Sequence, residues 1–143
     1  MEFKKFNRST VSSGSKGNQV ATVRISAGNG SFSFSREAVN LMKVTKESKI
    51  EYLFDEDESN WYIHVLPEKS ETEGFNLRAD KSKEDFLISQ STPTARQILA
   101  SVHKDLANAT FRIGAEQTID DMRLFLLITA SVSNPKYYAV DED

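Results

Sequence analysis

The sequence predicts an α+β protein, mainly antiparallel β with two short helices, built as tandem ββαββ units that form an internal pseudo-dimer. Three observations lead there. Residues 21–34 (ATVRISAGNGSFSF) and 75–88 (FNLRADKSKEDFLI) superimpose so that Val23, Arg24, Phe32 and Phe34 fall on Leu77, Arg78, Phe86 and Ile88, each pair 54 positions apart. After each copy comes a short helical pattern and then two more strand-like runs, as in a repeated supersecondary unit. Between these features the apolar residues alternate with polar ones at the period of a half-buried strand.

The elements follow in order. Residues 9–18 (STVSSGSKGN) hold a single apolar side chain, Val11, too little to offset the entropy of ordering, so residues 1–18 are expected to form a flexible arm. In the first unit, residues 19–66, Ala21, Val23, Ile25 and Ala27 share one face of a strand while Thr22, Arg24 and Ser26 take the other. Gly28-Asn29-Gly30 accepts the backbone angles of a tight turn, and Phe32 and Phe34 then alternate with Ser31 and Ser33, completing a hairpin. Ser35 is a good N-cap for a helix over 36–42, with Glu37 near the positive end of its dipole. Strands over 49–54 and 61–66 are joined by the acidic stretch 55–60 and stopped by Pro67.

A polar linker, residues 67–73, leads to the second unit, residues 74–134. Its leading strands, 74–78 and 85–89, are joined through a charged connection in place of the glycine turn. Thr92 is read as cap and Pro93 as first helical residue, where its missing N–H is harmless; Ala95, Ile98, Leu99 and Val102 form the apolar stripe. Residues 109–113 alternate, and the run 123–130 (RLFLLITA) reads as the most deeply buried strand. Residues 135–143 form a C-terminal tail ending Asp141-Glu142-Asp143.

Composition sets the functional limits. With 143 residues, 38% hydrophobic and 27% charged, the chain is long enough to bury a sizeable core. It has no cysteine, which excludes disulfides and thiolate metal sites, and its two histidines, His64 and His103, do not make a zinc site by themselves. No cofactor is expected. No run approaches the roughly 20 apolar residues of a spanning helix, and MEFKKFNRST lacks the core of a signal peptide, so no membrane is expected and the default compartment is the cytoplasm. A net charge of −3 argues against a strongly basic nucleic-acid binder while leaving room for local patches. Enzymatic motifs are missing. Asp55-x-Asp57-x-Ser59 opens like a calcium loop, but Asn60 and Leu66 stand where glycine and a bidentate glutamate belong, and His64 has no nucleophile arrangement around it.

Gly30-Ser31-Phe32-Ser33-Phe34-Ser35-Arg36-Glu37, then Leu41-Met42-Lys43-Val44, Lys49-Ile50-Glu51-Tyr52 and a hairpin to Trp61-Tyr62-Ile63, together resemble the swapped-hairpin DNA-binding domain of AbrB-type transition-state regulators. The resemblance covers residues 20–66. It implies that two such units interlock as a dimer, with residues 75–130 as the fused second copy, and that the ligand is DNA. Ser31, Val39 and Asn40 stand where the family carries basic residues, and Ser35 where it carries proline.

The candidate nucleic-acid-binding residues are Arg24 and Arg78 on the two leading strands, Arg36, Lys43, Lys46 and Arg96 on or beside the helices, and Lys4, Lys5 and Arg8, which alternate with Phe3 and Phe6 in the arm. If a pseudo-twofold axis relates the units, Arg24 and Arg78 are related by it. Two partner classes stay open: DNA or single-stranded nucleic acid, held by a DNA-binding regulator or single-strand binder, and another protein, held by an assembly module. The oligomeric state is a monomer with internal pseudo-twofold or a homodimer.

Overall fold

The computed structural model describes residues 20–138, so the arm residues Lys4, Lys5 and Arg8 and the acidic end of the tail lie outside the described residues. Nine strands and two helices follow in the order β1 (Thr22–Ser26), β2 (Ser31–Phe34), α1 (Arg36–Met42), β3 (Lys49–Asp55), β4 (Asn60–Val65), β5 (Phe75–Asn76), β6 (Arg78–Ala79), β7 (Leu87–Gln90), α2 (Thr92–Val102), β8 (Leu106–Ile119) and β9 (Met122–Tyr137). All pairings are antiparallel, in one sheet of order β5-β3-β4-β9-β8-β1-β2-β7-β6. The first and last strands of that order are separated in the chain by the single residue Leu77, so the two edges meet and the sheet curls into a nearly closed barrel. No helix among the described residues is long and apolar enough to cross a membrane.

Four pairings join the two halves of the chain: β1 to β8, β2 to β7, β3 to β5 and β4 to β9. The halves therefore share one core. Val23 and Ile25 of β1, Phe32 and Phe34 of β2, Ile50 of β3, Ile63 of β4, Phe111 of β8 and Phe125 of β9 are all almost fully buried, as their alternation requires. Helix α1 adds Ala38 and Met42, and α2 adds Ala95, Ile98 and Leu99, the stripe its spacing predicts. Each large side chain in this cluster contributes about 2–3 kcal/mol of transfer free energy relative to exposure.

The local signals resolve as follows. Ser35 caps α1, accepting the Ala38 N–H at 3.2 Å and also the Thr22 N–H at 3.0 Å, which ties the helix start to β1. Lys43 ends α1 in the left-handed conformation (φ 54°). For α2 the cap is Ser91, one residue earlier than Thr92, because Thr92 already has helical geometry. Gly30 (φ 68°) is required twice over: its turn needs positive φ, and a Cβ there would lie 2.4 Å from the Thr92 backbone nitrogen.

One expectation fails in detail. Leu87 and Ser89 face the core on β7, while Phe86 and Ile88 face outward, so the match of Phe32 and Phe34 with Phe86 and Ile88 does not carry over to the buried face. Phe32 pairs with Ser89 and Phe34 with Leu87. The connection before β7 shifts the strand by one place, and one place exchanges the faces.

The last hairpin is longer than expected. β8 and β9 run 14 and 16 residues, well past 109–113 and 123–130, around a turn at Asp120 (φ 51°) and Asp121 (φ 63°), the positive-φ pair of a type I′ turn. β9 continues to Tyr137, beyond the point where the tail was expected to begin. Its ladder with β8 has irregular register: between Thr110↔Ser133 and Arg112↔Ile128, β8 advances two residues and β9 five. Residues 129–132 of β9 therefore bulge, with the Ser131 hydroxyl accepting the Arg112 N–H at 2.8 Å and donating to the Ile128 carbonyl at 2.6 Å.

Candidate nucleic-acid interface

Alternation that buries Val23, Ile25, Phe32 and Phe34 must turn Thr22, Arg24, Ser26, Ser31 and Ser33 to the other side of the sheet. The neighbouring strands extend this face with Ile88 and Gln90 of β7, Arg78 of β6, and Asn108, Thr110 and Arg112 of β8. None of these side chains is a carboxylate. The registers place Thr110, Arg24, Ser33, Ile88 and Arg78 in a single row across five strands, since Arg24 pairs with both Thr110 and Ser33, Ser33 with Ile88, and Ile88 with Arg78. The two arginines singled out in the sequence thus lie on one face, three strand spacings or about 14 Å apart.

Arg24 is anchored. Its guanidinium donates to Thr110 Oγ1 at 2.9 Å, to the Asn134 carbonyl at 3.3 Å and to Asn108 Oδ1, so it braces β1 against both strands of the last hairpin. All three partners are neutral, so they fix the geometry without neutralising the positive charge. Arg78, exposed on β6, lines a shallow groove with Gly74, Phe75 and Ile88 where the barrel closes.

Beside this row lies the bulge of β9. Between it and β1 lies an open groove of about 830 Å³, lined by Thr22, Ser35, Glu37, Phe86 and Arg112 on one side and residues 130–134 on the other, with Val20 also in its lining. Arg112 pairs with Thr22 on the floor and is exposed. Arg112 is not among the residues expected from the sequence, although its signal was present: it is the outward position between the inward Phe111 and Ile113. The Lys83 ammonium sits 5.2 Å from the Phe86 ring centre.

The remaining candidates lie apart from this face. Arg36 is 61% exposed, 3.4 Å from Glu37 and 3.9 Å from Asp85, an arrangement worth little in solvent. Arg36 and Lys46 border a second groove, of about 590 Å³, together with Asp80 and Asp85. The backbone N–H and hydroxyl of Ser82 both bond Asp80 Oδ1, at 2.8 and 2.7 Å, and hold the Asp80 carboxyl below its ordinary pKa. That groove is of mixed charge and does not single out an anion. Lys43 serves as the C-cap of α1, and Arg96 projects from the exposed side of α2.

Two further polar groups complete the picture. His64 Nδ1 lies 2.6 Å from Glu51 Oε2, a half-sheltered pair between neighbouring strands. Among the described residues no group of three His, Cys, Asp or Glu side chains is placed to hold a metal ion. No protein-family model, curated protein or solved structure matches the chain.

Proposed function

We propose that this chain is a small non-enzymatic nucleic-acid-associated protein, an internal pseudo-dimer of two AbrB-like ββαββ units whose polar outer face receives the phosphate backbone. The pseudo-dimer is supported by the pairings. Exchanging the first β-hairpin and second β-hairpin of one half with those of the other leaves the pattern unchanged: β1 on β8 answers β5 on β3, while β2–β7 and β4–β9 join equivalent strands. The leading strands keep the 54-residue spacing (Val23 with Leu77, both buried), and the next strands match at 55. Gly30 (φ 68°) then answers Asp85 (φ 64°), the same left-handed position before each strand.

The observation that carries the function is the single row Thr110, Arg24, Ser33, Ile88 and Arg78, which holds two arginines and no carboxylate. Two arginines in one such row attract phosphate even on a chain of net charge −3, because the field that matters is local. The test is an anisotropy titration of labelled oligonucleotides over 50–200 mM salt, comparing the wild type with Arg78→Ala and with Arg24→Ala/Arg78→Ala. Each arginine–phosphate pair removed lowers the slope of log K against log salt by about 0.7–0.9. Arg78→Ala is expected to lower it by one such step without changing the thermal midpoint. The double variant lowers it by two. Slopes unchanged in both would take these arginines out of the site.

A second reading, a protein interaction or assembly module, is favoured by a different observation. β4 covers β9 only over residues 123–127, and β1 with Ala21 before it covers β8 only as far as Ile113, so the rest of each strand has a free edge among the described residues. Such edges accept a strand from a partner. No oligonucleotide binding at low salt, together with concentration-dependent self-association in sedimentation, would favour this reading.

A further inference from the structure

We infer that the nucleic acid bound on this face is single-stranded and is seated in the groove between the β9 bulge and β1, with a base on Phe86 and phosphates at Arg112 and Arg24. This rests on the nucleic-acid reading above and goes further by naming the strand state and the path. The groove has the volume of a small-molecule cleft, about 830 Å³. One of its walls is formed by residues 130–134 of β9, whose path the bulge makes irregular. A single strand can turn its backbone to follow such a wall.

The chemistry of the lining agrees. A site for unpaired strands combines cations for the backbone with an aromatic face for a base, and needs no recognition of duplex shape. Arg112 lies on β8 and Phe86 immediately before β7, three strand spacings or about 14 Å apart along the same side of the groove. Thr22 and Ser133 add hydroxyls between them. Residues 130–134 of β9 complete the lining, with the Asn134 carbonyl held by the Arg24 guanidinium at 3.3 Å. Glu37 is the carboxylate of the lining, with the Arg36 guanidinium 3.4 Å away to offset its charge in part.

The experiment compares a labelled twelve-nucleotide single strand with its blunt duplex, by anisotropy at 20 mM and 150 mM salt. The proteins are the full chain, Phe86→Leu, Phe86→Tyr, Arg112→Ala and the Arg24→Ala/Arg78→Ala variant. Phe86→Leu keeps an apolar side chain on the outer face, and circular dichroism establishes that each variant is folded. The single strand is expected to bind at least about tenfold tighter than the duplex. Phe86→Leu should weaken the single strand about 5- to 100-fold, the range of one missing stacking partner, while Phe86→Tyr retains affinity. Arg112→Ala should lower the single-strand salt slope by about 0.7. Duplex binding equal to or tighter than single-strand binding, or Phe86→Leu without effect while the Arg24/Arg78 variant still lowers the slope, would overturn the inference and leave the nucleic-acid reading standing. Binding of neither form at 20 mM salt would remove both.

Discussion

At the scale of the residue, Tyr52 is the side chain whose chemistry differs most from its sequence appearance. It shares a face with Ile50, so alternation alone turns its ring inward, where it stacks on Phe32 at 4.5 Å and tilts against Phe75 at 5.8 Å. Its hydroxyl is carried in with the ring. Among the described residues neither that hydroxyl nor Ser89 Oγ has a partner in hydrogen-bonding geometry, although Ser89 lies near enough to ease the phenol's ionisation slightly. Burial outweighs that effect and pushes the Tyr52 pKa well above 10.0. As pH rises past about 10, the phenol ionises in the unfolded chain while it stays protonated in the barrel. The unfolded state then binds fewer protons, and stability falls. Tyr52→Phe removes both the unpaired hydroxyl and this pH dependence. The variant is expected to match or exceed the wild type by up to about 1 kcal/mol at pH 8, and to lose less stability between pH 8 and pH 11. Urea midpoints at the two pH values measure it, and an identical alkaline loss in both proteins would contradict the assignment. The burial of Tyr52 was legible in its parity with Ile50; the missing partner was not, because it depends on which strand arrives opposite.

At the scale of the element, the two helices start on serines that do different things. Ser35 accepts the N–H groups of both Ala38 and Thr22, whereas the Ser91 side chain makes no cap bond to backbone and instead donates to Thr94 Oγ1 at 2.8 Å. Ser35→Ala should therefore cost about 2 kcal/mol, the loss of a cap plus an orphaned strand N–H, while Ser91→Ala should cost under about 0.5 kcal/mol. Chemical denaturation of the two variants measures the difference; equal costs would mean that the Ser35 bonds contribute nothing beyond helix propensity. Helix α1 was legible to the residue, because a polar cap, an acidic first turn and a short apolar stripe all agree over 36–42. The last hairpin was not. Residues 114–119 (GAEQTI) show no apolar alternation because their outer half has no second strand to cover it, and the bulge at 129–132 breaks the parity by which a strand is read. The groove wall was hidden for that reason, whereas the outward position of Arg112 was readable from its parity and Arg24 and Arg78 were visible as the polar members of two matching strands.

At the scale of the molecule, the choice of partner strand cannot be read from alternation, since a strand's pattern fixes which face is buried and not which neighbour covers its edge. The repeat pointed to two related units, but its constant offset hid the one-residue shift before β7. The topology has a mechanical consequence that a row of independent units would not share. Residues 67–73 are the only covalent link between the halves, and Pro67, Glu68 and Lys69 are exposed on a short turn closed by Ser70 N–H to the Pro67 carbonyl at 3.0 Å. Four strand pairings cross that link without depending on it, and the core they enclose draws Ile25, Phe32 and Phe34 from one side and Ile98, Phe111 and Phe125 from the other. Cutting the chain within 67–73, through a protease site placed between Lys69 and Ser70, removes only the tether and with it an effective concentration in the millimolar range. The cut protein is expected to elute from a sizing column as one species of the uncut size at micromolar concentration, with an unchanged far-UV spectrum. After denaturation it should refold with a rate that depends on protein concentration, since the halves must then find each other. Elution of the two fragments as separate folded species would mean that each half completes its own core, and the interlocked pairing would have to be given up.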